Sequence, residues 1–570
     1  MEKMLKHNYP FEPTAPLYRD VRDLFLRCTE TFSDRIAFTF KKKGSDKNVI
    51  TKTFAEFRRD VIGLGTKMMS EDLHKSHVAL IGKNSYEWIC CYFALLSIGS
   101  ILVPLDRDWT ADELSETLKR ADCTRVFCDG DMKEKGATVA ASIGDEQPVT
   151  FGGNFGVSFD EYLAEGIAMV DAGDHRFDGV EIDPLALSLM VFTSGTTGKG
   201  KGVMHNQRAL ATNVYGAFCV LHCDERTIGL LPPHHTFGST ITILASVVGG
   251  TNMYITSGIR YVVNELKLHK PKYLLLVPLY LETFHRRIWA AARDGGKEKL
   301  LRTMMKISNG LRRIGIDLRK AFFKKSVLAA FGGELQFAVS GGAPVSQEII
   351  DDFDAFGVKI INGYGITECA PLISANRMRF ITPGSVGVPI PNEEVKIVNP
   401  TETGEGEICV KGPNVMLGYY GDPKATAEAI DEDGFFHTGD IGKIDKNGAI
   451  FITGRSKNII ILSNGKNVYP EEIEAEFAGI DGVVDLVIYE GQSRRGVEHN
   501  AIVLEVFPDA DWMKANDVSD FEAYIKPRVE QYNRTAVPYK KIGMIRIRET
   551  EFPKNTLRKI TRFKLDRTID

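Results

Sequence analysis

The stretch LALSLMVFTSGTTGKGKG, residues 185–202, joins an apolar run to a loop of glycine, hydroxyl and lysine residues. The run LALSLMVF has the length and apolar character of a buried β-strand. The ten residues after it hold four glycines, two lysines and four hydroxyl residues. Glycine lets the main chain approach an anion closely, and lysine supplies positive charge. The stretch therefore predicts a strand that carries a phosphate-binding loop to the edge of a sheet.

The loop nearly fits the pattern G-x-x-x-x-G-K-[ST], which is typical of loops that serve a γ-phosphate. Gly195, Gly200 and Lys201 fall in register, but Gly202 stands where a serine or threonine would ligate Mg²⁺. The loop can offer backbone N–H groups and ammonium charge to a phosphate, yet it lacks that hydroxyl. A flexible glycine turn is the alternative interpretation, and it leaves the clustered hydroxyl and ammonium groups unexplained.

Length and composition limit the class of protein. A chain of 570 residues is too long for one hydrophobic core, so about two to four domains are expected. The formal net charge of −4 provides no general attraction to nucleic acid. The nine cysteines are odd in number and irregularly spaced, which argues against a disulfide framework. Cys219 and Cys223 lack a second ligand pair nearby, so zinc binding there is not expected.

Two segments bear on location. MEKMLKHNYPFEP, at the start of the sequence, has no apolar signal-peptide region, and a cytoplasmic location is the expectation. WICCYFALLSIGSILVPL, residues 88–105, is 18 residues long without a charge, which is the lower limit for a membrane span. Ser97, Gly99 and Ser100 interrupt it. We therefore predict a buried helix through about Ser97 and a buried strand at residues 101–105.

Apolar strand-like runs alternate with helical patterns over most of the chain. HVALIG, ILVPL and TRVFCDG are early examples, and TNMYIT, YLLLVP, LQFAVSGG and KIINGYG repeat the rhythm. This alternation predicts an α/β fold with mostly parallel sheets. After Gly406, EICVKG, AIFITG and IIILS predict short antiparallel strands with tight turns. From about Arg455 the pattern predicts a small α+β domain.

Residues 285–325 are strongly basic, with 13 lysine and arginine residues against three acidic residues. Within this segment LRRIGIDLRKAFFKK, residues 311–325, is amphipathic if it is helical, with Ile314, Leu318 and Phe322 in one stripe. Contact with an anionic membrane surface or an anionic ligand is one interpretation. A solvated helix face is the other.

Further motifs follow the phosphate loop. They are PPHHTFG at 232–238, SGGAPVS at 340–346, NGYGITE at 362–368, FFHTGD at 435–440, GRSKNIIILSNGKNVYPEEIE at 454–474 and FPKNTLRKITR at 552–562. Together with TSGTTGKGKG, and in this order, they resemble the signature motifs of the acyl-adenylate-forming superfamily, which includes acyl-CoA synthetases, adenylation domains and luciferases. Gly200 replaces a usual proline, and Arg558 replaces a common glycine. The resemblance covers nearly the whole chain and is weakest in the first 70 residues.

The resemblance implies roles for the motif residues. The phosphates of ATP would be held by Thr193, Ser194, Gly195, Thr196, Thr197, Gly198 and Lys201. Adenine and ribose would be held by Gly341, Gly342, Ala343, Pro344, Asn362, Gly363, Tyr364, Gly365, Asp440 and Arg455, with Tyr364 stacked on adenine and Asp440 accepting both ribose hydroxyls. The catalytic residues would be Lys559, Glu368, Thr367 and His235, of which His235 lies beside the acyl pocket. Glu368 and Thr197 would bind Mg²⁺, Lys457 would be the hinge, and Ser463, Asn464 and Gly465 would line the CoA tunnel.

The resemblance also implies an architecture. Residues 1–454 would form a large N-terminal adenylation domain of layered α/β subdomains with a small β-barrel-like part, and this domain would hold the ATP and acyl sites. Residues 455–570 would form a small, mobile α+β C-terminal lid domain. Its rotation would bring Lys559 into the site for adenylation and withdraw it for thioester formation.

The implied reaction is the ATP-dependent activation of a carboxylic acid to acyl-AMP, followed by transfer to CoA, with Mg²⁺ as cofactor. IIILSNGKNVYPEEIE is most similar to bacterial long-chain fatty acyl-CoA synthetases, which favours a medium- or long-chain fatty acid. Aryl or sterol acids, and a carrier protein in place of CoA, stay open. A non-catalytic adenylate- or lipid-binding protein is the alternative of another class, but Lys559, Glu368 and Asp440 are all present. The expected partners are small molecules, with peripheral membrane contact through 285–325 and a homodimer as further hypotheses.

Overall fold

The structure is a computed structural model that describes residues 11–153, 155–193, 200–378, 380–461, 467–496, 500–554 and 560–569. These residues form six β-sheets, of which the largest has eight strands. The strands are β1 Ile36–Phe40, β2 Ile50–Thr53, β3 His77–Ile81, β4 Ile101–Leu105, β5 Arg125–Asp129, β6 Val149–Phe151, β7 Val157–Ser158, β8 Leu187–Thr193, β9 Lys201–Asn206, β10 Arg226–Gly229, β11 Asn252–Ile255, β12 Tyr273–Leu276, β13 Phe337–Ser340, β14 Lys359–Gly365, β15 Leu372–Ala375, β16 Val388–Pro389, β17 Glu394–Val398, β18 Gly406–Lys411, β19 Gly418–Tyr419, β20 Phe436–Ile444, β21 Ile450–Arg455, β22 Ile460–Ile461, β23 Asn467–Val468, β24 Val483–Gly491, β25 Ala501–Pro508 and β26 Met544–Ile547. The strand orders are β19-β9-β8-β4-β3-β5-β6-β7, β12-β13-β14-β15-β16, β10-β11-β1-β2, β17-β18-β20-β21, β24-β25-β26 and β22-β23.

Helices cover the faces of these sheets and connect their parallel strands. They are α1 Val21–Thr31, α2 Phe54–Ser70, α3 Tyr86–Ser97, α4 Ala111–Arg120, α5 Glu134–Ala141, α6 Phe159–Asp171, α7 Gln207–Val220, α8 Ala245–Val248, α9 Val262–His269, α10 Pro278–Asp294, α11 Glu298–Arg313, α12 Arg319–Phe323, α13 Gln347–Phe356, α14 Pro423–Ala429, α15 Pro470–Glu476, α16 Ala510–Ala515 and α17 Phe521–Thr535. A π-helix covers Phe237–Leu244, directly before α8.

The predicted alternation of strands and helices is confirmed. In the eight-stranded sheet β3 pairs in parallel with both β4 and β5. In the five-stranded sheet β12, β13 and β14 are parallel neighbours. The carboxyl ends of parallel strands meet at one edge of a sheet, which is where open α/β sheets bind their ligands. Several of the motif residues follow directly after such strands.

Residues 88–105 fold as predicted, as a buried helix followed by a buried strand. α3 begins after Ser85, whose side chain accepts a hydrogen bond from the backbone N–H of Trp88. Gly99 takes a left-handed conformation, with φ of 78°, and the chain then enters β4. The side chains of Trp88 and Tyr92 stack within the core. No helix among the described residues is both long and apolar enough to cross a membrane.

The antiparallel strands predicted after Gly406 are present. β17, β18, β20 and β21 form a four-stranded antiparallel sheet, which corresponds to the predicted β-barrel-like part. The turn between β20 and β21 closes through hydrogen bonds of Asp445 with Gly448 and with Ala449. Gly448 has a φ of 85°, a conformation that glycine adopts without strain. This sheet carries Asp440 on β20 and Arg455 at the end of β21.

Residues 311–325, which would be amphipathic as one helix, do not form one helix. α11 ends at Arg313, and Gly315 takes a φ of 87°. The N–H groups of Gly315 and Ile316 donate to the carbonyls of Arg312 and Leu311, which terminates the helix. Ile314 directly follows α11, Leu318 directly precedes α12, and Phe322 lies within α12. The three residues therefore do not form a stripe on one helix.

The hydrophobic clusters of the described residues divide near residue 455. The largest cluster packs α1, α2, α3 and α7 around aromatic side chains such as Phe57 and Trp88. A cluster under the four-stranded antiparallel sheet extends to Ile452. The next cluster along the chain begins at Ile460 and contains residues of 460–547 alone. The boundary between 454 and 455 stays a prediction, and these separate cores agree with it.

All nine cysteines are free thiols, and eight of them are buried. Cys223 is partly exposed. Burial raises the pKa of Cys123 and of Cys128 to about 12. At neutral pH these side chains are therefore uncharged and behave as small apolar groups.

Phe57→Ala tests the largest core. Phe57 is fully buried, and its ring lies 5.6, 5.0 and 5.2 Å from the rings of Phe25, Phe38 and Phe93. Removing the ring leaves a cavity, so we expect the free energy of unfolding in urea to fall by about 3–5 kcal/mol. Leu185→Ala, at an exposed position, is the control and should change it by less than about 0.5 kcal/mol. Equal effects of the two substitutions would contradict this account of the core.

Candidate active site

The predicted phosphate loop connects two antiparallel neighbours of the eight-stranded sheet. β8 ends at Thr193 and β9 begins at Lys201, and these two residues are paired across the strands. Ser194, Gly195, Thr196, Thr197 and Gly198 lie outside the described residues. The loop therefore joins a strand to a strand, whereas the γ-phosphate loop leads into a helix.

Gly200, the departure from the usual motif, is explained by a close approach of the main chain. A Cβ on residue 200 would lie 2.4 Å from the carbonyl oxygen of Thr193. The carbonyl oxygen of Gly200 also accepts a hydrogen bond of 2.7 Å from Arg120. Glycine is thus required by this β8–β9 connection, independently of any ligand.

Lys201 and Glu368 meet at the ring of Tyr419. β19 pairs with β9, which places Tyr419 beside the start of that strand. The Lys201 ammonium lies 4.4 Å from the centre of the Tyr419 ring, and the Tyr419 hydroxyl donates a hydrogen bond of 3.1 Å to Glu368. Burial and the charge of Glu368 raise the pKa of Tyr419, so its hydroxyl stays protonated and remains a donor. The structure thus brings together a cation and a carboxylate from motifs that lie far apart in sequence.

Thr367 and Glu368 are held from two sides. His205, on β9, contacts the carbonyl oxygen of Thr367 through Nε2 at 2.7 Å. Burial lowers the pKa of His205 to about 4, so the ring is neutral and Nε2–H can donate to that carbonyl. On the other side, the backbone N–H of Met416 donates to the carbonyl of Glu368 at 2.8 Å. Glu368 itself is half-buried, in the short 3₁₀-helix Thr367–Cys369 that follows β14.

Asp440 is the centre of a second cluster. Its carboxylate, on β20, is only 4% exposed. It accepts hydrogen bonds of 2.7 Å from the Tyr364 hydroxyl and 2.6 Å from Arg455 Nε. Arg455 is the cross-strand partner of Asp440 on β21. Each carboxylate oxygen can accept a second hydrogen bond, so Asp440 keeps acceptor capacity for two further hydroxyls.

Tyr364 contributes to this cluster through its hydroxyl. Its ring is buried among Val203, Cys369 and Ile373. Burial, and then the charge of Asp440, raises the pKa of Tyr364 well above its usual value, so the phenol donates to the carboxylate. The predicted stacking of this ring on adenine stays a prediction.

His437 and Glu407 position the part of β20 that carries Asp440. Glu407 Oε1 accepts a hydrogen bond of 3.0 Å from the N–H of Gly439, and its other oxygen lies 2.9 Å from His437 Nδ1. The Thr438 hydroxyl donates to the carbonyl of Ile408 at 2.7 Å. β18 thus fixes the backbone on both sides of Gly439.

The predicted adenine-side loop lies between β13 and α13. Gly342, Ala343 and Pro344 are exposed, and Gly342 has a φ of 88°. Gly341 is buried, and a Cβ there would lie 3.3 Å from the ring of Phe237 and 3.5 Å from the carbonyl of Gly363. The half-buried Asn362, Gly363 and Gly365 follow on the neighbouring strand β14. The loop, β14 and the first residue of the π-helix therefore adjoin.

His235 is half-buried just before the π-helix, and its ring centre lies 4.3 Å from that of His234. His234 is buried, and its Nε2 lies 3.7 Å from the carboxylate of Asp106. Burial lowers the pKa of His234 to about 4. Neither ring nitrogen of His234 has a hydrogen-bond partner among the described residues. The neutral imidazole of His234 thus lies against His235, and the buried carboxylate of Asp106 lies next to that imidazole.

The remaining predicted residues belong to the C-terminal part. Lys457 is exposed in a short 3₁₀-helix at Ser456–Asn458, directly after β21. Lys559 and the predicted tunnel residues Ser463, Asn464 and Gly465 lie outside the described residues. Lys554 and Ile560, which bracket the segment of Lys559, are bridged to each other. Their predicted roles stay predictions.

Tyr419 and Asp106 are the site residues that the sequence analysis missed. Asp106 directly follows the apolar strand β4. Polar residues at the carboxyl end of a strand indicate a ligand site in open α/β sheets, so this position was a usable signal. Tyr419 lies in the run MLGYYGD, where Tyr420 is chemically identical and directly adjacent. Only the pairing of β19 with β9 distinguishes the two tyrosines.

Comparison with known proteins finds one family that matches most of the chain. The sequence pattern of the AMP-binding enzyme family matches residues 25–420 of the chain. Long-chain-fatty-acid–CoA ligase 1 of Cavia porcellus is 29% identical over 544 residues, which cover 88% of this chain and 76% of the relative. Long-chain-fatty-acid–CoA ligase FadD15 of Mycobacterium bovis is 26% identical over 526 residues, covering 84% and 83%.

A solved structure of a CoA ligase shares the fold. The anthranilate CoA ligase AuaEII in complex with anthranoyl-AMP superposes with a TM-score of 0.76. The superposition covers 96% of this chain and 97% of that chain, at 18% sequence identity. At this identity the likeness shows the fold and leaves the substrate undecided.

Tyr419→Phe tests the junction between Lys201 and Glu368. The substitution removes a hydrogen bond to a carboxylate and leaves the ring under the Lys201 ammonium. We expect titration calorimetry to show binding of ATP with Mg²⁺ weakened by about tenfold. Tyr420→Phe is the matched control, because its hydroxyl bonds to the carboxylate of Asp122, outside this junction. Equal affinities of both variants and the unaltered protein would remove Tyr419 from the site.

The buried histidines predict a loss of stability in acid. The pKa values of His205, His234 and His269 are all lowered to about 4 by burial. Because the unfolded chain binds protons near pH 6.5 and the folded chain does not, stability is full above pH 6.5 and falls as pH drops toward 4. Each histidine accounts for about 3 kcal/mol of that fall.

Urea unfolding at a series of pH values measures this loss. The slope of the unfolding free energy against pH gives the number of protons taken up on unfolding. In His234→Asn this number should be smaller by about one between pH 4 and 6.5. His175→Asn, at an exposed position, is the control and should leave the slope unchanged. An unchanged slope in His234→Asn would mean that His234 is protonated in the folded protein.

Proposed function

Because the chain belongs to the AMP-binding enzyme family, we propose that it is a fatty acyl-CoA synthetase that forms AMP. The carboxylate of a medium- or long-chain fatty acid attacks the α-phosphorus of ATP, and pyrophosphate leaves. The sulfur of CoA then attacks the carbonyl carbon of the acyl-AMP, which yields acyl-CoA and AMP. The broader class, an acyl-adenylate-forming ligase, follows from the family and from the names of its relatives.

The junction of Lys201, Tyr419 and Glu368 carries the proposal. A fatty carboxylate and the triphosphate of ATP repel each other, so the site must offset negative charge where pyrophosphate departs. Lys201 places an ammonium over the ring of Tyr419 at the start of β9, and the hydroxyl of the same tyrosine bonds to Glu368. An ammonium and a carboxylate at one position suit an anionic ligand that carries a divalent cation.

Glu368 fits the predicted magnesium ion. Mg²⁺ prefers oxygen ligands and is bound through one or two carboxylates together with substrate phosphates. The Glu368 carboxylate is half-buried, has no ion-pair partner among the described residues, and is braced by Tyr419. When bound, Mg²⁺ would offset charge on the phosphate oxygens. Thr197, the second predicted ligand, lies outside the described residues.

The cluster of Asp440, Tyr364 and Arg455 would hold the nucleoside. Two vicinal ribose hydroxyls can donate to the free lone pairs of the Asp440 carboxylate, whose position is fixed by its two present donors. This contact positions the α-phosphate without taking part in bond making. Lys559 would place its charge on the oxygens of the reacting centre, and Lys457 would serve as the hinge for the lid of residues 455–570. The separate hydrophobic cores on the two sides of residue 455 support this division.

The names of the relatives favour a fatty acid. Both relatives named above are long-chain-fatty-acid–CoA ligases, and each aligns with more than four fifths of this chain. The neutral His234 and the ring of Phe237 lie beside His235, where the acyl group would enter. CoA is the proposed thiol acceptor for the same reason.

The proposal is tested by AMP release with ATP, Mg²⁺ and CoA across fatty acids of graded chain length, with aryl and sterol acids included. We expect kcat/KM to rise with chain length, because each buried methylene contributes about 0.8 kcal/mol. A maximum with an aryl or sterol acid would overturn the substrate class. Acid-dependent exchange of ATP with pyrophosphate, without turnover on CoA, would keep the ligase class and replace CoA by a carrier protein.

A further inference from the structure

The exposed face of α11 combines two rows of side chains. Leu300 and Ile307 lie about two helical turns apart on α11, and Ile314, seven residues further on, directly follows the last residue of the helix at the end of the same line. They are 57%, 51% and 72% exposed. The opposite face of the helix packs on the protein through Leu301, Met304, Met305 and Ser308.

A basic row runs beside the aliphatic row. Lys299, Lys306 and Arg313 each stand one position before the corresponding aliphatic residue, and all three are exposed. None of the three has an ion-pair partner among the described residues, whereas Arg302 is engaged by Glu298 and Arg312 by Asp354. The face thus pairs unscreened positive charge with exposed aliphatic surface.

We propose that this face of α11 docks on an anionic lipid bilayer, with Leu300, Ile307 and Ile314 inserted among the lipids and Lys299, Lys306 and Arg313 at the lipid phosphates. An amphipathic helix with one aliphatic side and a basic polar side binds the interface of such membranes in this orientation. The chain turns at Gly315, just after the end of α11, and the exposed Ile316 follows close to Ile314 in the chain. The inference goes beyond the proposed reaction and does not depend on the chain length of the acid.

A second copy of the chain fits this surface less well. Pairing the face with itself about a two-fold axis would bring six unpaired cations into one interface. Like charges in an interface weaken association, whereas lipid phosphates are complementary to them. Charge therefore selects the bilayer as the occupant.

Sedimentation with vesicles tests the proposal on the full chain. The protein should bind vesicles of equal parts phosphatidylglycerol and phosphatidylcholine, and should bind phosphatidylcholine alone far more weakly. Raising the salt concentration should weaken binding, since exposed charges are screened. Binding equally to both kinds of vesicle, or to neither, would overturn the proposal.

Two triple variants separate the two rows. Lys299→Gln, Lys306→Gln and Arg313→Gln together should weaken binding to the anionic vesicles by about 100-fold, which is about fivefold for each charge. Leu300→Ser, Ile307→Ser and Ile314→Ser together should abolish retention on the vesicles at high salt. Lys424→Gln, Lys514→Gln and Lys526→Gln together remove the same charge from exposed positions elsewhere and should bind as the unaltered protein does.

Two outcomes would contradict the assignment of this surface. If the control variant lost as much binding as the basic-row variant, attraction would depend on net charge alone. If the aliphatic variant kept its vesicle binding but became smaller in analytical ultracentrifugation, the face would be an interface between two copies. Unchanged thermal melting of all three variants establishes that each remains folded.

Discussion

The antiparallel pairing of β8 with β9 is the constraint on which the candidate site depends. It sets Thr193 opposite Lys201 and forces the main chain so close that Gly200 has no room for a side chain. The same strand β9 then carries His205, which holds the carbonyl of Thr367, and pairs with β19, which holds Tyr419. One strand therefore positions groups from three distant segments of the chain, because ladder hydrogen bonds fix the register of all its side chains.

The cluster around Asp440 follows a different principle. A carboxylate that is almost fully buried is costly unless its charge is compensated. Arg455 supplies the opposite charge from the neighbouring strand, and Tyr364 supplies a neutral donor from another sheet. Arg455 is also the last residue of β21, two residues before the predicted hinge at Lys457. The charge pair thus joins the end of β21 to β20, next to the predicted domain boundary.

Short sequence patterns were sufficient to predict elements that depend mainly on residues close together in the chain. The buried helix and strand at 88–105 follow from an apolar run that small residues interrupt, and Gly99 makes the turn between them. Asp440 and Arg455 could be placed together because their motifs resemble those of a known superfamily, and the structure joins them by a hydrogen bond. The stripe of Ile314, Leu318 and Phe322 depends on one helix over 311–325, and the turn at Gly315, with a φ of 87°, prevents that helix. The sequence could not show which of Tyr419 and Tyr420 belongs to the site. Only the pairing of β19 with β9 places Tyr419, and not Tyr420, under Lys201.

The burial of the cysteines has a chemical consequence for a protein proposed to use a thiol as co-substrate. Thiol–disulfide exchange requires a thiolate, and the rate falls when the attacking sulfur is protonated or inaccessible. Eight of the nine cysteines are buried, including Cys369 directly beside Glu368, and burial raises the pKa of Cys369 well above its usual value. The partly exposed Cys223 likewise has its pKa raised to about 12. The buried thiols are therefore poor partners for mixed disulfides with the oxidised form of the proposed co-substrate.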